Sequence, residues 1–291
     1  MENPWILYSL AWLIAVGLAD FVKKIIISKW INKEVFLLLC FGLYVVFFWL
    51  NYYFQGTNED LFTTQILTSA AIIGVNSFIW PLCILVSLKY LDTSLTLICV
   101  RLLSSFIILF IGYYLLWDKI SFYNLVWFLI GMLAIWLLSG FKLNKKYLEL
   151  NKKGVCALLI ATISVITIHT YFKYIMPSIN PHDFMPMQFT IAFISLLVYM
   201  LLRWKLKDIT LPELKISFWY AIFMACIVWI HFLYFLPNIY LLGPLSLGYK
   251  MLSYSLIVPI ILSVIFLWDP INKKRILAFV LTIISIFLFL I

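Results

Sequence analysis

Hydrophobic residues run along this chain in long blocks, broken at short intervals by charge, proline or small polar clusters, and the blocks are far too long for strands. A bilayer core about 30 Å thick requires about 20 apolar residues of helix. Cutting the chain at each interruption predicts ten such helices, over residues 4–22, 35–54, 65–89, 93–117, 121–140, 155–176, 184–203, 214–241, 243–267 and 272–290. The fold class is an all-α polytopic membrane protein, because a helix satisfies its own backbone in lipid. One hydrophilic stretch separates five spans from five, giving units over 1–141 and 154–291 joined by a basic linker over 142–153. Asp118 and Asp269 directly precede predicted helices, with Pro270 next to the second, in the positions of an N-cap and a first-turn proline. Pro81 and Pro259 fall inside spans and are expected to bend them.

Composition narrows the class further. With 65% of residues hydrophobic, 11% charged and a mean hydropathy of +1.09, the chain is no soluble enzyme, DNA-binding protein or disordered scaffold. A net charge of +9 would raise the question of nucleic acid in a soluble protein, but here it marks loops, and no nucleic-acid partner is expected. Nearly all lysines and arginines follow odd-numbered spans, while the loops after even-numbered spans hold only Lys119 and Lys173. The positive-inside rule then puts the crowded face in the cytoplasm and both termini outside, in a cell (inner) membrane. No basic leader precedes the first block and no small-residue cleavage site follows it before Lys23, so it reads as a span. Cys40, Cys83, Cys99, Cys156 and Cys226 lie in apolar stretches without CxxC spacing, so neither a disulfide framework nor a zinc site is expected, and no other cofactor.

The rare polar residues of the spans fall into one repeating register. His169 lies 149 positions after Asp20, and the same shift carries Lys24 onto Lys173, Glu34 onto Asp183, Trp80 onto Trp229 and Arg101 onto Lys250. Beyond the fourth span a shift of 151 lays Leu116-Trp117-Asp118-Lys119-Ile120 over Leu267-Trp268-Asp269-Pro270-Ile271. The register implies a duplication, and because five spans per half is odd, the halves enter the membrane in opposite senses. Inverted repeats are a recurring device of secondary transporters, which rock about a site near the bilayer midplane in alternating access.

On these residues the chain resembles the EamA-type branch of the drug/metabolite transporter superfamily. The resemblance rests on the five-plus-five duplication, the Gly17 to Lys24 pattern in the first span, and a short acidic turn before the last helix of each half. That turn is Trp117-Asp118 and Trp268-Asp269, where the family commonly has Gly-Glu. The resemblance implies a central cavity lined by spans one to four and six to nine, with spans five and ten peripheral. It also implies termini inside, against the charge bias followed here.

Candidate binding residues come from polarity out of place. Arg101 and Lys250 each sit about 10 to 12 Å into a helix, where a cation is costly unless it meets water or a partner. Facing one cavity, they would offer two positive groups to a carboxylate or phosphate; the bland reading is that each snorkels or pairs with Asp92 or another loop acid. Some superfamily members that move phosphorylated metabolites and nucleotide sugars resemble this in carrying basic residues in the corresponding spans. Trp80 and Trp229, about 15 residues into their spans, either line that cavity or sit near the opposite interface, with Asn76 one turn before Trp80 on the same face. Asp20 either pairs with Lys23 or Lys24 or faces the cavity and binds an amine, while His169 and His231 are interhelical struts or carry coupling protons.

No phosphate loop, HExxH, GxSxG or paired catalytic carboxylates occur, and the expectation is not an enzyme but a carrier of a small polar metabolite, anionic or zwitterionic. Its partners are that solute and the bilayer, and the sequence sets neither a monomer nor a homodimer, nor import against export. The alternatives are a carrier of cationic or aromatic compounds such as a quaternary amine, a flippase, or a membrane-embedded lipid enzyme using His169 or His231.

Overall fold

The computed structural model describes residues 4–28, 32–56, 61–91, 93–119, 121–139, 151–203, 211–267 and 273–290, and every regular element among them is helical. In chain order these are α1 (Pro4–Ser28), α2 (Lys33–Gln55), α3 (Thr64–Tyr90), α4 (Thr93–Leu115), α5 (Phe122–Ser139), α6 (Lys152–Ile175), α7 (Pro181–Leu202), α8 (Leu211–Ile230), α9 (Leu236–Leu242), α10 (Leu245–Ser253), α11 (Ile257–Leu267) and α12 (Lys273–Leu290). A π turn, His231–Phe235, joins α8 to α9, and a 3₁₀ turn, Tyr254–Leu256, joins α10 to α11. Among the described residues seven helical stretches are long and apolar enough to cross a membrane, and three shorter apolar helices accompany them. Tyr53, Phe54, Leu115 and Leu202 are among many large side chains left exposed, an outer surface that lipid solvates and water does not. The protein is a helical, multi-pass integral membrane protein.

Capping explains why several helices begin before their hydrophobic blocks. The Asn32 side chain accepts from the Glu34 and Val35 amides, Thr63 from Ile66, and Asn180 from His182 with Pro181 next in line. Helix α1 outlasts its predicted end at residue 22 because a lysine does not stop a helix, and Lys23 is paired with Asp20 one turn back. The two irregular turns follow from prolines. Pro237 has no N–H, and just ahead of it the Leu236 amide reaches five residues back to the His231 carbonyl. Pro259 likewise offers no donor to the Ser255 carbonyl, next to the 3₁₀ turn. Pro81, in contrast, is absorbed within a continuous α3.

One expected cap is corrected. The start of α5 is tied by Ser121, whose hydroxyl accepts from the Asn124 amide at 3.2 Å. Asp118 instead caps α10 in the other half of the chain: its Oδ2 accepts from the Ser246 amide at 3.0 Å and the Ser246 hydroxyl at 2.8 Å. The aim of this carboxylate is set by Trp117, which takes a left-handed φ of 57° and lets the Asp118 amide bond the Gly112 carbonyl at 2.9 Å. Helix α10 needs the outside help because its own N-cap is Pro244, which has no side-chain acceptor. Asp118→Ala should therefore speed hydrogen exchange in the first turn of α10 and leave the first turn of α5 unchanged; faster exchange at α5 alone would restore the local cap. Asp269, Pro270 and residues 142–150 of the linker lie outside the described residues.

Helix α3 packs on α6 and α7, α2 on α7 and α8, α4 on α6 and α10, and α1 along α8 to α11, while α5 packs chiefly on α12. The main core, with Trp12, Phe48, Phe172, Phe184 and Tyr249 fully buried, lies between these layers. A smaller cluster around Trp127, Phe128, Met251 and Tyr254 fills the space between α4, α5, α10 and α12.

Candidate functional site

Charges inside the bundle converge on Asp20. This buried carboxylate, about 12 Å from the end of α1 at 1.5 Å per residue, receives Lys23 Nζ on Oδ1 at 2.8 Å and Arg101 Nη2 on Oδ2 at 3.2 Å. Both α1 and α4 deliver these groups to one face because Asp20 and Lys23 are one turn apart and Arg101 is eight residues into a helix beginning at the same end of the bundle. Lys23 also lies over the Trp80 ring, 5.3 Å from its centroid, so α3 joins the group by a cation–π contact. Two cations against one carboxylate leave the cluster net positive.

A line of polar and aromatic groups leads from this cluster across the bundle. The Tyr249 hydroxyl interacts with Arg101 and hydrogen-bonds Ser104 at 2.8 Å. Its ring lies 4.7 Å from that of His169, whose Nδ1 is hydrogen-bonded to the Tyr240 hydroxyl. Trp12, fully buried, then stacks obliquely between His169 at 5.8 Å and His231 at 5.2 Å. Rings therefore line the centre of the bundle between these groups. Two concavities lie elsewhere: a groove of about 430 Å³ lined by Leu18, Phe21, Trp219 and Phe266, and one of about 260 Å³ lined by Phe110, Tyr113 and Phe122. Both are apolar and open outward.

Among the described residues, several long-range contacts gather at one end of the bundle. Where α1, α3, α7 and α10 begin, Asn51 bonds His182 at 2.8 Å, Gln65 bonds Ser178 at 3.2 Å, and Asp118 holds Ser246. Lys173 donates to the carbonyls of Tyr240 and, at 2.8 Å, Gly243, closing the turn between α9 and α10. Trp5 packs on Gly243 so closely that a Cβ there would stand 2.6 Å from the indole. Toward the other end the ion cluster is approached through Lys23, whose side chain is 30% exposed against 3% for Asp20.

The structure thus brings together Asp20, Arg101, Trp80, His169 and His231. It sets the rest apart. Lys250, fully buried, projects away from Arg101, its Nζ 4.6 Å from the Phe128 centroid and 5.3 Å from that of Tyr254, with no hydrogen-bond partner. Among the described residues neither the loop-acid pairing nor the convergence with Arg101 is seen. Adjacent residues on a helix point about 100° apart, and it is Tyr249, one position before Lys250, that faces the centre. Trp229 makes an edge contact with Tyr234 at 6.0 Å, and Asn76 donates to the Ile72 carbonyl of its own helix at 2.8 Å. Lys24 and Asp92 carry no described side chains. Trp12, Ser104, Tyr240 and Tyr249 are the site residues that the search for out-of-place polarity does not reveal.

No family model matches the chain, and no curated protein matches it. A solved structure described only as "Crystal structure of protein" is similar in fold, with a TM-score of 0.74 at 13% identity over 99% of this chain and 95% of that one. At that identity the likeness shows the fold alone.

Proposed function

We propose that the protein is a secondary carrier of a small carboxylate-bearing metabolite, anionic or zwitterionic, working by alternating access. The observation that carries the reading is the Lys23–Asp20–Arg101 cluster, buried between helices of a membrane protein and net positive. A charge placed at that depth is costly and is retained where a solute must be bound. A carboxylate entering past Lys23 takes over the guanidinium from Asp20, and the ammonium of a zwitterion takes the carboxylate so released. Cations meet a cluster that already holds two.

The packing supports the ten-span inverted repeat of the drug/metabolite transporter kind. Exchanging α1 with α6, α2 with α7, α3 with α8–α9, α4 with α10–α11 and α5 with α12 turns the α3–α6 contact into α1 with α8–α9, and α3–α7 into α2–α8. It returns α2–α7, α4–α10 and α5–α12 to themselves. With the lysine-rich face in the cytoplasm of a cell membrane, the pinned end lies outside and the cluster is approached from within.

Purified protein in proteoliposomes should show counterflow of a carboxylate solute, and Arg101→Gln should weaken its binding about tenfold to a hundredfold, the worth of a charge-assisted bond. A preference for quaternary amines that Asp20→Asn abolishes and Arg101→Gln spares would replace this reading with that of a cation carrier. Turnover of a lipid or acyl donor without solute movement would replace it with an enzyme.

A further inference from the structure

At the far end of the polar line two buried groups lack partners. Trp12 Nε1 and His231 Nδ1 make no hydrogen bond in the structure, although their rings are 5.2 Å apart and both residues are buried. A buried polar nitrogen without a partner carries its desolvation cost, and here one belongs to each of two neighbouring rings. His231 opens the π turn, an irregularity that recurs at functional sites. The indole can only donate, whereas the imidazole nitrogen donates or accepts according to its tautomer. A single hydroxyl satisfies both, accepting from Trp12 and exchanging a second bond with His231. A hydrocarbon leaves both unmet, and an ammonium group opposes the indole donor.

Resting on the carboxylate reading above, we propose that Trp12 and His231 form a second subsite, which recognises a hydroxyl on the solute whose carboxylate is held at Arg101. Trp12 and Asp20 are separated by about 12 Å along α1, and Arg101 reaches inward from α4, so the solute carries its hydroxyl several carbons from its carboxylate. His169 and Tyr240, already bonded to each other, wall the space between.

Two probes differing only at the far end test this: hexanoate and 6-hydroxyhexanoate, titrated against the full-length protein in detergent by calorimetry. The hydroxylated acid should bind about fivefold more tightly, the worth of a neutral hydrogen bond. Trp12→Phe, which keeps a ring and removes the donor, and His231→Phe should each erase that ratio. Arg101→Gln should weaken both acids alike. Equal affinities in the unmutated protein, with Arg101→Gln still weakening both, would overturn the hydroxyl subsite and leave the carboxylate reading standing, as if water alone bridged the two nitrogens. Binding of neither acid would overturn both.

Discussion

Asp20→Asn should destabilise the protein more than Arg101→Gln, although the two residues share one ion pair. Removing the carboxylate strands a guanidinium whose side chain is only 6% exposed, and loss of one partner from a buried pair costs about 3–5 kcal/mol. Removing the guanidinium leaves Asp20 still held by Lys23 at 2.8 Å, with Lys23 itself in contact with solvent, so the loss is smaller. The double variant should recover part of the Asp20→Asn deficit, because the buried guanidinium is gone and only the partly exposed Lys23 remains beside the carboxamide. Thermal unfolding in detergent of the three variants checks the order. Equal losses in the two single variants would mean that Lys23 does not share the carboxylate.

Gly17→Ala carries the second large expected effect. A Cβ on Gly17 would lie 2.4 Å from Val258 Cβ and 2.7 Å from the Ser255 carbonyl oxygen, and the latter is backbone that cannot rotate aside. Pro259 gives that carbonyl no amide, and the close approach of α1 is what a glycine permits. Separating α1 from α11 by a methyl group should cost about 3 kcal/mol, at the upper end of overpacking penalties. Gly42→Ala is the control: its nearest neighbour would be Phe193 Cε2 at 3.6 Å, an ordinary contact, and alanine's better helix propensity should leave stability level or raised by up to about 1 kcal/mol. Both are read by the same melts, and a Gly17→Ala protein as stable as Gly42→Ala would show that α1 and α11 sit further apart.

How much of this was legible in the sequence depended on contrast. Asp20, Arg101 and His169 stood out because a polar group in a long apolar block is rare and expensive, and the structure gathers all three. Trp12, Tyr240 and Tyr249 did not, because in a chain with 19% aromatic residues nothing in the pattern separates a ring in the centre from one in lipid. Lys250 shows the limit of register: a shift of 149 positions aligns it with Arg101, yet one helical position decides which side chain faces inward. Span positions were readable from hydrophobic length, whereas their first turns were set by Asn32, Thr63 and Asn180, whose effect is local hydrogen bonding. Asp118 does not cap the helix it precedes; it caps one through Ser246, 128 positions away, a distance no local rule can see.

That long-range cap also sets a resting preference. Asp118 belongs to one half of the chain and Ser246 to the other, so any motion that parts the halves at this end must break both of their bonds at once. At about 1 kcal/mol net each, the pair alone weights the sealed arrangement about thirtyfold over the parted one. In a carrier of the kind proposed above, a bound solute would have to supply that difference before the far side opened, and the empty protein would rest mostly in the sealed arrangement.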